Sequence, residues 1–241
     1  MLNSRTNTQG PRSARLRSRP PALQLVQITR TPEPTPARWP NMHEADLGTM
    51  DAAAALGCDP FKSTVRLWME KTGRQDLLQP LPEAGALSDG ALYWSRLLEP
   101  IVAAHYTLRT GRQVRRTGTL PQHPQHSWMV AHSVREVVEA SEVQLLECRC
   151  VGMDAAVLWA DGLPAYVQIQ MLHVLAVTGA QAIDVVALMG GQELRIHRVE
   201  RDEVEISRLI DAEREFWRCV ELDEAPPAEP KRRCAEPNLV S

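Results

Sequence analysis

The sequence predicts an α/β (α+β) fold in which helices flank a central mixed sheet. Three observations lead there. A long helical pattern occupies residues 88–110. The stretches 113–119, 127–138 and 143–150 that follow are rich in Val, Trp and alternating apolar positions, which is a strand pattern. Helical periodicity then returns on both sides of a hairpin signal. Of the 241 residues 44% are hydrophobic, enough to bury a substantial core.

Each element has its own local signals. Asp51 to Leu56 reads as a short Ala-rich helix, and Ser63 as the cap of a helix that runs through Lys71 and stops at Gly73. Residues 75–87 form a Pro-containing loop. Ser88 opens the long helix, with Leu97, Ile101 and Tyr106 as inward positions and Gly111 as its end. Pro164 suits the first turn of a helix reaching Thr178, and Gly179 its end. Residues 184–189 and 193–199 form a hairpin around Gly190 and Gly191. Residues 203–220 form an amphipathic helix with Ile206, Leu209, Ile210, Phe216, Trp217 and Val220 on one face. The six tryptophans read as core residues rather than a base-stacking platform.

Charge and composition divide the chain into three parts. Residues 1–42 are rich in Pro, Arg, Ser and Thr and read as a disordered basic arm. Residues 1–40 hold seven arginines and the single acid Glu33, a charge of +6, which leaves −9 on the remainder of a chain whose net charge is −3. The arm is read as a DNA tether, a dispensable tail or a transit peptide. Residues 43–222 form the ordered domain, and 223–241 a disordered tail. No apolar run approaches the roughly 18 residues of a membrane span. Five cysteines without paired spacing argue against a disulfide framework and for a cytoplasmic location.

Few residues point to chemistry. Strand alternation puts Glu147 and Arg149 of Leu146-Glu147-Cys148-Arg149 on one face. Many nucleases use such a pair, the carboxylate for Mg²⁺ or Mn²⁺ and the cation for charge near the attacked phosphate. Most Glu-x-Arg pairs on strands are merely solvated ion pairs. Glu99 precedes Pro100 inside the long helix, where a kink can aim its carboxylate inward. Gln170 can hold a phosphate or water without adding charge. His173 has no second histidine at ligand spacing and is assigned to packing or hydrogen bonding.

In order and spacing, several segments resemble the YqaJ viral recombinase family, which includes phage lambda exonuclease-like nucleases. They are Leu47-Gly48-Thr49-Met50-Asp51 with Ala52–Gly57, Pro60-Phe61-Lys62-Ser63, Leu67–Gly73, Leu98-Glu99-Pro100, Arg109-Thr110-Gly111, Val114-Arg115-Arg116, Tyr166 with Gln170, Leu175–Gly179, Gly190-Gly191-Gln192, and Glu213 with Phe216-Trp217. The resemblance implies a restriction-endonuclease-like core and metal-dependent hydrolysis of DNA phosphodiesters, with linear duplex DNA as substrate. A phage single-strand annealing protein is the implied partner, and a homo-oligomer an allowed assembly. It makes Glu99 and Glu147 metal carboxylates, Gln170 and Arg149 supporting catalytic groups, and Asp51, Arg115 and Arg116 DNA-facing residues. Two positions depart from the family pattern: Val134 stands where the family has a ligating aspartate, and Arg149 where it has lysine. Valine cannot ligate, and arginine keeps the charge but cannot act as a base. Glu136, two residues from Val134 on one strand face, is the candidate for a migrated metal carboxylate. The alternative is a degenerate relative that binds DNA or a recombination partner without cutting. On the active reading, Glu99, Glu147 and Gln170 converge on one cleft.

Overall fold

The computed structural model describes residues 46–78, 89–118, 121–132 and 135–227, with 89–93 described by backbone alone. The expected arm at 1–42, most of the expected tail, and Val134 lie outside the described residues. Among those described, no helix is long and apolar enough to cross a membrane.

A five-stranded mixed sheet forms the centre, as the sequence predicts. It consists of β2 (Val114–Arg116), β4 (Arg135–Val137), β5 (Leu145–Val151), β6 (Ala182–Met189) and β7 (Glu193–Glu200), in spatial order β2-β4-β5-β6-β7. All neighbours are antiparallel except β5 and β6, which run parallel in register Leu145↔Ile183 through Val151↔Met189. Parallel neighbours need a crossover, and α4 (Ala165–Thr178) makes it. The β6–β7 hairpin turns at Gly190 and Gly191, both at positive φ (55° and 73°), where a side chain would be strained.

Helices cover both faces. On one, α4 buries most of its length between the sheet, α1 (Ala52–Ala55) and α5 (Glu203–Glu221). It is apolar nearly all round, as a helix enclosed on every side must be. At its end, Gly179 supplies the left-handed cap with φ 72°. Asp202 caps α5 by accepting from the amides of Val204 and Glu205. Ser63 caps α2 (Thr64–Lys71) in the same way through Arg66. Trp68 of α2 donates its indole N–H to Cys219 O of α5 at 3.1 Å.

The opposite face carries α3 (Asp89–Thr110), with Pro100 inside it. Of the expected inward residues, Tyr106 is buried, but Leu97 and Ile101 are 48% and 54% exposed. The row that meets the sheet is Val102, Ala103 and Tyr106. Its orientation is set by a polar bond: the Tyr106 hydroxyl donates to the buried Asp184 carboxylate of β6 at 2.7 Å. Burial and that carboxylate push the Tyr106 pKa up to about 12. Trp94 is exposed, against its expected place in the core, whereas Trp68, Trp128, Trp159 and Trp217 are buried.

The stretch 127–138 is not one strand. Its first part, β3 (Met129–Val130), pairs in parallel with β1 (Leu47–Gly48) in a separate two-stranded sheet, and its last part is β4. The break has a local cause, because His132 N donates to Thr49 Oγ1 at 3.1 Å instead of joining a ladder. β1 itself and the 3₁₀ turns at Gln75–Leu77 and Ala156–Trp159 are too short to leave a periodic signal.

One buried polar cluster ties the layers together. His173 of α4 has no exposed surface; its Nδ1 lies 2.9 and 3.1 Å from the Glu213 carboxylate oxygens of α5, and its Nε2 3.0 Å from Val130 O of β3. A carboxylate and a carbonyl both accept, so the arrangement favours the imidazolium, which donates from both nitrogens. Burial alone would lower its pKa, but Glu213 and Val130 O raise it above the ordinary value of about 6.5. The stability the pair contributes is therefore complete below about pH 6.5 and is lost as pH rises through the raised folded value. Thermal unfolding followed across pH should show that decline in the native protein and not in Glu213→Gln. Glu213→Ala, which strands the buried cation, should cost about 3–5 kcal/mol in urea unfolding.

Candidate active site

Strand β5 sets the site. Its alternation sends Leu145, Glu147, Arg149 and Val151 toward α4, and Leu146, Cys148 and Cys150 toward α3. Glu147 is buried, and Arg149 Nε lies 2.8 Å from Glu147 Oε1. That N–H is not aligned for a hydrogen bond, so the contact is an ion pair. Arg149 Nη2 donates to Gln170 Oε1 at 2.9 Å. Gln170 stands on the inner face of α4, fully buried, and its Nε2 has no hydrogen-bond partner. The structure thus joins Glu147, Arg149 and Gln170 in one chain of contacts and leaves a buried N–H₂ donor at its end.

Burial holds the Glu147 carboxyl above the usual carboxylate range; Glu99 pushes the same way, and Arg149 opposes both. Tyr166, one helical turn before Gln170, is also raised by burial and feels the Arg149 charge. Phe61, from the loop between α1 and α2, meets the Tyr166 ring edge-on at 5.9 Å between centroids. These neighbours carry no strong signal in the sequence, because the loop that brings Phe61 is about a hundred residues from α4.

Glu99 reaches the site differently from Glu147. It projects from α3, on the other face of the sheet, and is clamped by Arg135 of β4 and Arg116 of β2. Arg135 Nη2 donates to it at 2.9 Å and Arg116 Nη2 at 3.0 Å. The hydrogen bond from Arg135, followed by the charge of both arginines, holds the Glu99 carboxyl below its ordinary range against the effect of burial. Glu147 pairs with Val185 of β6 inside the sheet, and the Glu99 charge is felt there. The described contacts join Glu147, Arg149 and Gln170, whereas Glu99 stands on the α3 face and is held by Arg135 and Arg116. Arg135, which the sequence reading did not single out, is the residue that fixes Glu99; a contact 36 positions apart leaves no local signal.

Other expected site residues are placed elsewhere. Glu136 forms a two-point ion pair with Arg115 at 2.8 and 3.1 Å across β2–β4. Arg115 and Arg116 are both largely exposed. Asp51 is buried rather than displayed: Lys71 Nζ lies 2.7 Å from its Oδ2, Lys62 Nζ 3.4 Å from its Oδ1, and Gly48 N donates to it at 3.3 Å. Burial raises the Asp51 pKa, yet Lys71 and Lys62 together bring it below the usual value. Lys62 also bonds Glu70 at 2.8 Å, leaving that ammonium at the partly exposed end of the network. Gly48 is required where the opening segment passes His132, because a Cβ there would lie 2.6 Å from the imidazole.

Among the described residues, no group of three or more His, Cys, Asp or Glu side chains is gathered to hold a metal ion. Magnesium commonly takes only one or two protein carboxylates and completes its shell with water and phosphate. Glu147 supplies one such carboxylate at the end of the Arg149–Gln170 contacts. The unpartnered Gln170 Nε2 and the Arg149 guanidinium suit an anion beside it, such as a phosphate oxygen.

Two of the carboxylates should respond very differently to removal. Asp51→Ala leaves the buried Lys71 ammonium without its carboxylate and should cost about 3–5 kcal/mol. Glu136→Ala breaks only an exposed pair and should change stability by less than about 1 kcal/mol. Urea unfolding of the two variants measures the difference.

Comparison with known proteins agrees with this architecture. Residues 38–181 match the YqaJ-like viral recombinase domain. The uncharacterized protein YqaJ of Bacillus subtilis (strain 168) is 31% identical over 182 residues, which are 74% of this chain and 54% of that protein, so the chain spans about half the length of this relative. The crystal structure of an alkaline exonuclease, LHK-Exo, from Laribacter hongkongensis is similar with TM-score 0.56 at 20% identity, covering 74% of this chain and 89% of the exonuclease. The same enzyme in complex with dAMP gives TM-score 0.57 at 21% identity over the same shares.

Proposed function

This chain belongs to the YqaJ-like viral recombinase family, and we propose that it is a nuclease of the phage-recombinase type that hydrolyses phosphodiesters of linear duplex DNA with Mg²⁺ or Mn²⁺. The observation that carries the reading is the contact chain Glu147–Arg149–Gln170, which ends in a buried donor with no protein partner. The exonuclease fold of the similar structures, one of them solved with dAMP, supports it. Glu147 and Glu99 would hold the metal, and Glu136 is the reserve carboxylate. The metal would supply Lewis-acid stabilisation and a water of lowered pKa.

The protein's own groups do the rest. Arg149, held by Glu147 and Gln170, presents a fixed positive charge to the scissile phosphate; it cannot take a proton from water. Gln170 Nε2 donates to a phosphate oxygen, worth about 10²-fold in rate if the bond tightens in the transition state. Arg115, Arg116 and Lys62 line partly or largely exposed surface where phosphates of the duplex can be met. Asp51 acts by holding Lys62 and Lys71. We assign the protein to the cytoplasm of a bacterial or phage-infected cell, working beside a single-strand annealing protein.

A second reading is favoured by one feature, the valine at 134. A site short of one ligand can bind DNA without cutting it. Cleavage of linear duplex DNA with Mg²⁺, with Mn²⁺ and with EDTA separates the two. We expect metal-dependent cleavage that Glu147→Gln abolishes and Gln170→Leu lowers about 10²-fold. Binding without cleavage in either metal would sink the first reading and leave the second. Val134→Asp with Arg149→Lys should raise cleavage above the native level, measured singly and together because groups in one site are rarely additive. Glu136→Ala decides whether that carboxylate serves the metal: a loss of cleavage assigns it there, and native rates exclude it. Binding in a salt series should be shallower for a chain starting at residue 41, because the +6 arm contributes phosphate contacts.

A further inference from the structure

A polar cavity of about 340 Å³ lies between α4, α5 and the loop that precedes β3, and none of Glu147, Arg149 and Gln170 lines it. Its wall includes His123, His126, Arg201, Glu203, Ser207 and Asp211. Small-ligand sites commonly measure roughly 300–1,000 Å³. The loop is fastened to β3, because His123 N donates to Met129 O at 3.0 Å and Ala131 N to Pro121 O at 2.9 Å.

Hydrogen bonds fix the tautomers of both histidines. The amides of Gln125 and His126 donate to His123 Nδ1, each at 3.1 Å. Arg214 Nη2 lies 2.9 Å from His126 Nδ1, and a guanidinium can only donate. Each Nδ1 is therefore an acceptor, and each neutral ring carries its proton on Nε2. Among the described residues, neither Nε2–H meets an acceptor. The two rings stack with centroids 4.7 Å apart and 25° between their planes, which puts both on one wall. The same bonds disfavour a metal. A ligating Nε2 would need the proton on Nδ1, where N–H groups already point.

Charge and exposure suit an acceptor ligand. His123, His126 and Arg201 are half-buried, whereas Glu203, Ser207 and Asp211 are exposed. Glu203 is paired with Arg201, whose Nη1 also donates to Leu175 O. Each Arg201 Nη keeps a second N–H. Burial, then the charges of His126, His173 and Arg201, hold His123 below its ordinary pKa, so its surroundings are positive in spite of the carboxylates at the rim.

We propose that this cavity binds a phosphate-type oxyanion, which accepts hydrogen bonds from His123 Nε2, His126 Nε2 and Arg201. The site is separate from the hydrolytic one and does not depend on it. An anion there favours the imidazolium of His123, so affinity rises as pH falls. The charged groups around His123 are His126 on its own loop, His173 of α4, Arg201 after β7, and Glu203, Asp211 and Arg214 of α5.

Histidine ring resonances of the full chain, followed by NMR during titration with sulfate, test this, because sulfate does not titrate near neutral pH. His123 and His126 should shift together and saturably, and sulfate should raise the His123 pKa. His105 and His197, which do not line the cavity, should stay unchanged. Inorganic phosphate should act as sulfate does. His123→Asn keeps an acceptor for the two loop amides but lacks the Nε2–H. It should weaken sulfate about tenfold and flatten the rise in affinity toward low pH. His126→Gln is the second variant, and the unfolding temperature shows that each remains folded. Competition with sulfate identifies the source of the phosphate: success of dAMP alone assigns a free nucleotide, and success of a single-stranded oligodeoxynucleotide assigns a strand. Absence of a saturable shift at His123 and His126 overturns the proposal, as does sulfate binding that both variants leave intact. Equal shifts at all the histidines would mean general screening by salt and overturn it too.

Discussion

A charged imidazole with no access to water holds three layers of this protein at one point. His173 donates from both ring nitrogens, to Glu213 of α5 and to the Val130 carbonyl of β3. Desolvation of such a pair is expensive, and its attraction compensates only when every hydrogen-bonding position is used. Here all of them on the ring are. The geometry leaves little freedom in the rotation of α4, because the imidazole must meet partners on two different elements. Gln170, one turn earlier on the same helix, inherits that restriction. Its carbonyl accepts from Arg149 and its amide donor stays buried without a partner.

The same logic governs the strand beneath. Glu147 is buried beside a cation yet remains hard to ionise, since burial outweighs the Arg149 charge and Glu99 adds to the cost. Glu99 stands in the reverse state, because two arginines at a more open edge favour its anion. Two carboxylates on opposite faces of the sheet therefore differ in proton affinity through their surroundings alone. A cation brought beside Glu147 would favour its anion, and an anion would answer the unpaired Gln170 amide.

The opening segment depends on a second ionic network. Asp51 gathers Lys71 and Lys62, Lys71 also bonds Asp46 O at 2.7 Å, and Gly48 lets the chain pass His132. This network ties α1, α2 and the two-stranded β1–β3 sheet together. It explains why an acidic residue in a segment expected to face DNA is enclosed. The aspartate orders the two cations, of which Lys62 is the partly exposed one.

The sequence by itself determined the elements whose signals are local. Caps at Ser63 and Gly179, the glycine hairpin and the apolar face of α5 were all legible, because capping, turn chemistry and helical period act within a few residues. The Glu147–Arg149 pair was legible for the same reason, as strand alternation places both on one face. Only the tertiary structure decided which side of α3 is buried, since Leu97 and Ile101 satisfy the helical period as well as Val102 and Tyr106 do, and the bond to Asp184 is 78 residues away. It also decided that Glu99 belongs to Arg135 and Arg116, that Glu136 belongs to Arg115, and that Asp51 is enclosed. Ion pairs between distant segments depend on how sheets and helices stack, and no periodicity within one segment encodes that.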